Sequence, residues 1–318
     1  MTRDDDDFSG SRIFSRQSIA SDLCRCGFGT AAVFTARAPE KASENEDAAV
    51  VISVGDGHSV LAVADGLGGH AAGEEASALA VQTLAETLVN VPQGSEHELR
   101  SAILDAIERA NEQIVAMGVG AATTLAVAEI SGNAIRPYHV GDSMVLVIGQ
   151  RGKLKLQTVE HSPVGFAVRS GMLEEKDAIH HEDRHLVSNI VGDPEMHIEV
   201  GPTITLRPRD TVLLSSDGLL DNVHLHEIIE IARKGRLQKA MQDLAALARK
   251  RMSEPQEGHP SKPDDLTFIL FRLKSFRRSR KRQSAMHAEE AATSAGEGIA
   301  PAERASPAEA DPGRSEKA

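Results

Sequence analysis

The spacing of apolar residues changes its period along the chain. Short apolar runs broken by turn residues, which predict strands, stand on both sides of two long segments with helical spacing. The predicted strands are 30–37, 48–54, 59–64, 123–130, 134–140, 144–148, 153–159, 211–215 and 266–273. The predicted helices are 72–90, 96–117, 224–233 and 236–252. The short turns between successive strands after residue 120 predict an antiparallel meander.

The two ends of the chain differ from this patterned region. Residues 1–28 are polar and irregular, with an acidic run at 4–7, and are expected to form a flexible N-terminal arm. A basic cluster at 277–282 is followed by a segment rich in Ala, Glu, Ser, Pro and Gly. Such a segment buries too little apolar surface to offset its chain entropy, so 275–318 are expected to be a disordered tail. A single domain is therefore expected at 29–274.

Composition and charge narrow the functional classes. Of the 318 residues, 41% are hydrophobic, which suffices for a sizeable core, and the formal net charge is −12. This acidic balance argues against nucleic acid as a partner, because a phosphate-binding surface needs clustered Lys and Arg. Cys24 and Cys26 are too isolated for a zinc site and are expected to be reduced thiols of a cytoplasmic protein. No apolar run reaches the roughly 18–20 residues of a membrane span.

One apolar run ends in an acidic residue followed by glycines, in the segment LAVADGLGGHAAG at 61–73. A carboxylate at the tip of a buried strand, beside glycines that let backbone oxygens approach, suits a hard cation. The same pattern also fits a plain strand–turn–helix connection in which Asp65 caps the helix. Asp47 stands at the comparable end of the preceding strand. An antiparallel hairpin over 48–64 would therefore bring Asp47 close to Asp65.

Four acidic residues share this position at a strand boundary. They are Asp47, Asp65, Asp217 and Asp264. Carboxylate, carbonyl and water oxygens suit Mg or Mn rather than zinc or copper, and crowded carboxylates repel one another unless cations neutralise them. Two metal ions about 3.5–4 Å apart are a common device for hydrolysing phosphoesters, because they lower the pKa of a water and orient it for in-line attack. The pattern therefore favours a two-metal phosphoesterase.

Six stretches of the chain carry a family resemblance. They are ENEDA at 44–48, VADGLGGH at 63–70, GAATTLAVAEI at 120–130, YHVGDS at 138–143, SSDGLLDN at 215–222 and PDDLTFIL at 263–270. In this order they resemble the metal-dependent protein phosphatases of the PPM (type 2C) family. The resemblance implies an α+β fold, an α-β-β-α sandwich of two antiparallel sheets flanked by helix pairs. It also implies hydrolysis of phosphoserine and phosphothreonine on proteins by a water that two Mn or Mg ions activate.

The resemblance assigns roles residue by residue. The metal ligands it implies are Asp47, Asp65, Gly66, Asp217 and Asp264. Asp65 would bridge both ions, and Gly66 would offer its carbonyl to one of them. Asp47 would bind an ion directly or through water, and Glu46 would hydrogen-bond metal-bound water. Asp65, Glu46 and Asp47 would thus be the residues nearest the reaction.

Some positions depart from the family's motifs. Many members have an Arg four residues before the Glu of the acidic pair to hold the phosphate, and here that position is Ala42. Lys41 or Arg37 is the expected substitute, although an ammonium group lacks the bidentate fork of a guanidinium group. Some members have a His two residues after the bridging Asp as a candidate acid, where this chain has Leu67.

Histidines are concentrated in the less regular region 160–202. They are His161, His180, His181, His185 and His197. None of them has the paired spacing of a zinc motif. Surface or structural roles are therefore favoured over a metal site.

Two other functions are compatible with the sequence. The missing phosphate Arg would fit a pseudophosphatase, a module that binds phosphoproteins with metals but little turnover, whereas retention of the principal acids favours an active enzyme. A two-metal phosphoesterase acting on small molecules lacks a recognisable nucleotide motif. The expected partners are a phosphoprotein substrate and a cognate serine/threonine kinase or its targets, with neither nucleic acid nor a membrane span involved.

Overall fold

The computed structural model describes residues 10–55, 57–67, 71–91, 96–173 and 186–274. The strands are β1 (Gly10–Ser15), β2 (Ile19–Cys26), β3 (Gly29–Ala36), β4 (Asp47–Ser53), β5 (His58–Leu67), β6 (Ala122–Thr123), β7 (Leu125–Ser131), β8 (Ala134–Val140), β9 (Met144–Ile148), β10 (Leu154–Gln157), β11 (Glu199–Val200), β12 (Ile204–Thr205), β13 (Thr211–Ser215) and β14 (Leu266–Leu273). The helices are α1 (Ala71–Val89), α2 (Glu96–Met117), α3 (Pro163–Arg169), α4 (Asp217–Leu220), α5 (Leu225–Ala232) and α6 (Leu237–Ser253).

These strands form two antiparallel sheets. The first has the order β1-β4-β5-β7-β8-β11, with β6 paired to β5 and β12 paired to β8. The second has the order β10-β9-β13-β14-β3-β2. Consecutive strands are often neighbours, as in β4–β5 and β7–β8, which is what short turns between strands produce.

The strand β4 shows why its sequence is apolar at every position. Ala48, Val50 and Ile52 pack towards α1 and α2, whereas Ala49 and Val51 belong to the core shared with the second sheet. Successive side chains on a strand point to opposite faces, so a strand buried on both faces reads as a continuous apolar run.

Helices cover the outer face of each sheet. On the first sheet, Leu84 and Leu88 of α1 pack with Ile103 and Ile107 of α2 in one buried cluster. On the second sheet, α5 and α6 form the matching layer, with buried residues that include Leu244. This is the α-β-β-α sandwich of the α+β class, so the predicted fold class is confirmed.

The expectation of an irregular arm at 1–28 is wrong for the part of it that the structure describes. Strand β1 pairs with β4, and β2 pairs with β3, each at the edge of one sheet. Only Phe14, Cys24 and Cys26 among their apolar side chains are buried. An edge strand with one solvated face carries few apolar positions, which is why the pattern did not predict these strands.

The remaining differences in the patterned region are small. The strand predicted at 123–130 is divided into β6 and β7 at Thr124, and the one predicted at 153–159 is shorter. The two cysteines are free and buried, and burial raises the pKa of Cys24 to about 11 and that of Cys26 to about 12. Among the described residues, no helix is both long and apolar enough to span a membrane. The tail predicted at 275–318 lies outside the described residues.

Candidate active site

Asp47 and Asp65 lie together at one end of the β4–β5 hairpin. They are direct partners in the antiparallel register, as the spacing predicted. Asp47 is buried, with 1% of its surface exposed, and Asp65 is partly buried. The Asp65 carbonyl accepts hydrogen bonds from the Thr124 backbone N–H at 2.8 Å and from the Thr123 hydroxyl at 2.8 Å. These bonds fix the end of β5.

Gly66 lets the first helix approach the same strand end. A Cβ on Gly66 would lie 2.2 Å from the carbonyl oxygen of Gly73 in α1 and 2.8 Å from that of Glu46. The backbone N–H of Gly66 donates to the Glu46 carbonyl at 3.1 Å. The glycine is required here because both neighbours are backbone atoms, which cannot rotate away as a flexible side chain could.

The other two predicted acids come from the second sheet. Asp217 begins α4 just after β13, Asp264 stands just before β14, and β13 and β14 are neighbours. Ser216 joins the two sheets, because its hydroxyl donates to Oδ2 of Asp47 at 2.8 Å. The structure therefore brings all four predicted acids to one edge of the sandwich.

The carboxylates interact strongly with one another. Burial raises the pKa of Asp47 well above its usual value, and the charges of Asp265, Asp264 and Asp217 raise it further. The pKa of Asp65 is also raised by burial and then by Asp47 and Asp217. Burial and Asp217 raise the pKa of Asp264 to about 6. Such mutual destabilisation of the ionised forms is relieved by a cation.

One carboxylate oxygen in the cluster has no partner within the described part of the chain. Oδ1 of Asp47 is buried and makes no hydrogen bond there, while Oδ2 is held by Ser216. A buried carboxylate oxygen left unpaired is costly, so it calls for a cation or an ordered donor. Oxygen-only ligation is the preference of Mg and Mn. The residues present therefore fit a divalent metal centre.

The two predicted phosphate-binding cations differ in position. The Lys41 ammonium donates to Oε2 of Glu46 at 2.7 Å and to Oδ2 of Asp265 at 2.6 Å. Burial lowers the pKa of Lys41, but its bonds to these carboxylates outweigh burial and raise the pKa above its usual value. Arg37 instead donates to the Ser43 carbonyl at 3.2 Å. Of these two cations, therefore, only Lys41 contacts an acid that was assigned to the site.

The sequence did not predict Lys262 and Asp221 as parts of the cluster. The Lys262 ammonium lies 2.9 Å from Oδ2 of Asp217, 2.9 Å from Oδ2 of Asp221 and 3.0 Å from Oδ2 of Asp264. Asp221 is part of the motif SSDGLLDN but stands on the helical turn rather than at a strand end. Lys262 is in a loop, where no periodicity marks it.

Asp142 is a further acid that the sequence did not assign to the site. It lies two residues after the end of β8, in the GDS sequence, and its charge contributes to the raised pKa of Asp65. Burial, followed by the charges of Asp217 and Glu160, raises the pKa of Asp142 to about 8. The signal was present, because Asp142 also stands at a strand boundary and belongs to the motif YHVGDS.

Three of the histidines that the structure describes lie with their rings against one another. The rings of His139 and His161 lie 4.4 Å apart, and His197 lies 5.1 Å from His161. Nδ1 of His161 accepts from the Gly141 N–H at 3.1 Å and lies 2.8 Å from Nδ2 of Asn189. Because Nδ1 of His161 accepts these hydrogen bonds, the ring proton is on Nε2. The ring therefore has a structural role. His180, His181 and His185 lie outside the described residues.

A protein-family model matches the part of the chain that contains most of this site. The model for protein phosphatase 2C matches residues 38–254, more than half of the chain. The chain belongs to the protein phosphatase 2C family. The match spans Asp47, Asp65 and Asp217, whereas Asp264 lies beyond its end.

Curated relatives agree with membership of the protein phosphatase 2C family. The chain is 30% identical over 221 residues to a putative protein phosphatase 2C-type of Streptococcus pyogenes, covering 66% of this chain and 87% of that one. It is 34% identical over 216 residues to the serine/threonine protein phosphatase PstP of Mycobacterium tuberculosis, covering 65% of this chain and 39% of PstP.

Solved phosphatase structures share the fold. Serine/threonine phosphatase Stp1 from Staphylococcus aureus superposes with a TM-score of 0.68 at 26% identity, covering 79% of this chain and 99% of Stp1. The catalytic domain of PstP in complex with two manganese ions gives a TM-score of 0.60 at 27% identity, covering 76% of this chain and 96% of that domain. The family match and these similarities together show that the protein is a protein-serine/threonine phosphatase.

Proposed function

We propose that the acidic cluster holds two divalent ions, Mn or Mg, and uses them to hydrolyse phosphoserine and phosphothreonine on proteins. The observation that carries this proposal is the unpartnered Oδ1 of Asp47, buried among carboxylates from both sheets. The manganese reported for the PstP catalytic domain supports the choice of metal.

Each proposed ligand follows from its position. Asp65 would be the shared ligand, because it pairs with Asp47 in the register of its own sheet and lies close enough to Asp217 of the other sheet to feel its charge. Asp47 and the carbonyl of Gly66 would bind the ion on the side of the first sheet. Asp217 and Asp264 would bind the ion on the side of the second sheet. When bound, the two ions supply an activated water and neutralise charge on the phosphoryl oxygens.

The chain's own residues orient this centre. The Ser216 hydroxyl fixes one oxygen of Asp47, and the other oxygen would be available to bind an ion. The Glu46 carboxylate is held by Lys41 at 2.7 Å through Oε2, and its Oε1 is buried without a partner in the described chain. That oxygen would be available to accept a hydrogen bond from a metal-bound water. We propose that the partner is a phosphoprotein and that a cognate kinase or its targets supply it.

The first experiment compares Asp65→Asn with the wild-type chain. Metal-free protein is supplied with Mn, and phosphate release from a phosphothreonine peptide is measured. Loss of a residue beside a ligand costs about 10–100-fold, so loss of the shared ligand is expected to cost at least about 100-fold. Asp105→Asn, on the exposed face of α2, is the matched control and is expected to keep wild-type turnover.

Two results of this experiment would contradict the proposal. Wild-type turnover no higher than that of Asp65→Asn in excess Mn would mean that the cluster does not catalyse the reaction. Peptide binding without turnover would then support the alternative, a phosphoprotein-binding module. Equal turnover in the two proteins at a high rate would mean that the chemistry lies elsewhere in the chain.

Lys41 is the proposed cation for the phosphoryl group, in preference to Arg37. It is anchored to Glu46 and Asp265 on the rim of the cluster, and 19% of its side-chain surface remains exposed. We expect Lys41→Ala to raise KM for the peptide about ten-fold, since a hydrogen bond to a charged group contributes about 1.5–3 kcal/mol. Arg37→Ala is the comparison, and a larger rise in KM for Arg37→Ala than for Lys41→Ala would reverse the assignment.

A further inference from the structure

Lys262 directs its ammonium group into the acidic cluster. It ion-pairs with Asp217 and Asp221 at 2.9 Å each and with Asp264 at 3.0 Å, in each case through Oδ2. A surface ion pair joins two side chains, whereas here three carboxylates meet at one positive charge. Three carboxylates thus surround one cation, as in a metal site, but here the cation is the side chain of Lys262.

The backbone of Lys262 is fixed by a buried side chain. Oδ1 of Asn222 accepts from the Lys262 N–H at 2.9 Å, and Nδ2 of Asn222 donates to the Lys262 carbonyl at 2.8 Å. The same Nδ2 donates to the Gly218 carbonyl at 2.9 Å, inside the turn that Asp217 begins. Asn222 is fully buried. The side-chain amide of Asn222 therefore fixes the backbone of Lys262 relative to the turn that begins at Asp217.

We propose that Lys262 competes with a metal ion for the oxygens of Asp217 and Asp264, so that the chain carries its own cation at one of its two metal positions. This inference rests on the proposed function in assuming that those two residues bind a metal. It adds that the two ions bind with unequal affinity and that Lys262 sets the difference.

Distances make the two occupants mutually exclusive. An ammonium nitrogen lies about 2.7–2.9 Å from a carboxylate oxygen, whereas Mg lies about 2.0–2.1 Å from its oxygen ligands. Lys262 faces the Oδ2 atoms of Asp217 and Asp264, where an ion shared by both would sit. An ion there would be within a few Å of the ammonium group and would repel it strongly, because such a cluster screens charge poorly.

The lysine is able to leave when an ion enters. Its side chain keeps 45% of its accessible surface, so the ammonium group can move into solvent while Asn222 holds the backbone. The ion pairs of Lys262 within the described residues reach neither Asp47 nor Asp65. No other described Lys or Arg ion-pairs with these two carboxylates, so the ion on that side is the tighter of the two.

The experiment measures Mn binding to metal-free protein by isothermal titration calorimetry. The wild-type chain is expected to bind one ion tightly and a second one weakly. In Lys262→Met, which keeps the stem but removes the charge, the second ion is expected to bind at least about ten-fold more tightly. Lys262→Arg keeps the charge and is expected to retain the weak second site. Lys239→Met, at an exposed lysine of α6 paired with Asp243, is the control and is expected to match the wild type.

Thermal unfolding in a chelator gives a second measurement that does not depend on activity. Lys262→Met leaves three carboxylates without their cation, so its metal-free form is expected to unfold at a lower temperature than Lys239→Met. Saturating Mn is expected to remove that difference. Lys262→Arg shows whether the fold tolerates a replacement at this position.

The outcomes separate this inference from the proposed function. Equal affinity for the second ion in Lys262→Met and wild type would overturn the competition and leave the metal centre standing. A rise in KM with unchanged Mn affinity would also overturn it, since Lys262 would then contact substrate instead. Absence of Mn binding in both proteins would overturn the metal centre on which both proposals depend.

Discussion

Asp47 is the side chain whose surroundings say most about the site. One of its oxygens is held by Ser216 and the other is buried without a partner in the described chain. Leaving a charged group unpaired inside a protein costs several kcal/mol, which the fold does not tolerate without a compensating ligand. The surroundings of Asp47 therefore fit a cation that the described part of the chain does not supply.

The raised pKa of Asp142 is expected to make the stability of the metal-free protein depend on pH. Its pKa in the folded chain is raised to about 8 and that of Asp264 to about 6, whereas an unfolded Asp titrates near 4. Between pH 5 and 8 the folded state loses protons that the unfolded state has already lost. The free energy of unfolding in a chelator is therefore expected to fall as pH rises through this window.

The variant Asp142→Asn tests this directly. It does not titrate, so the drop in unfolding temperature between pH 5 and 8 is expected to be smaller than in the wild type. A difference of at least about 3 °C is expected, since 1 kcal/mol corresponds to about 2–4 °C for a domain of this size. An equal drop in the two proteins would show that Asp142 does not carry the pH dependence.

The sequence predicted some site residues and missed others for identifiable reasons. Asp47 and Asp65 follow from a hairpin whose ends must meet, and that register is confirmed. Lys262 was missed because its placement depends on hydrogen bonds from Asn222, which no spacing reveals. Asp221 was missed because it reaches the cluster through a helical turn and not a strand end.

At the level of elements, prediction succeeded where a segment is buried on both faces or has a long apolar stripe. The two long helices and β4 are of this kind, and their predicted limits lie within one or two residues of those observed. The edge strands β1 and β2 were missed because each presents one face to solvent. Their pairing comes from the backbone of β4 and β3, which local sequence does not encode.

Two neighbouring residues of β1 distinguish an ordered strand from a flexible arm. Phe14 is 7% exposed and packs in the core between the sheets, whereas Ile13 is 40% exposed on the opposite face. We expect Phe14→Ala to lower the free energy of unfolding by about 3 kcal/mol and Ile13→Ala by less than about 1 kcal/mol. Chemical denaturation measures both, and equal small losses would restore the flexible-arm interpretation.

For the whole molecule, the site exists only because two sheets pack face to face. Asp47 and Asp65 belong to the first sheet, Asp217 and Asp264 adjoin strands of the second, and the Ser216–Asp47 bond joins the two halves. Hydrophobic spacing predicts the strands but not which sheets pack together. That step came from the family resemblance, and the family match over 38–254 supports it.

The shared edge of the two sheets is proposed to be a metal centre that hydrolyses phosphothreonine. The most direct test measures phosphate release from a phosphothreonine peptide by metal-free protein, before and after Mn is added, with Asp47→Asn beside the wild type. No release is expected before addition, turnover is expected from the wild type after it, and background release is expected from Asp47→Asn throughout. Turnover in the presence of chelator, or wild-type release that Mn leaves at background, would contradict this proposal.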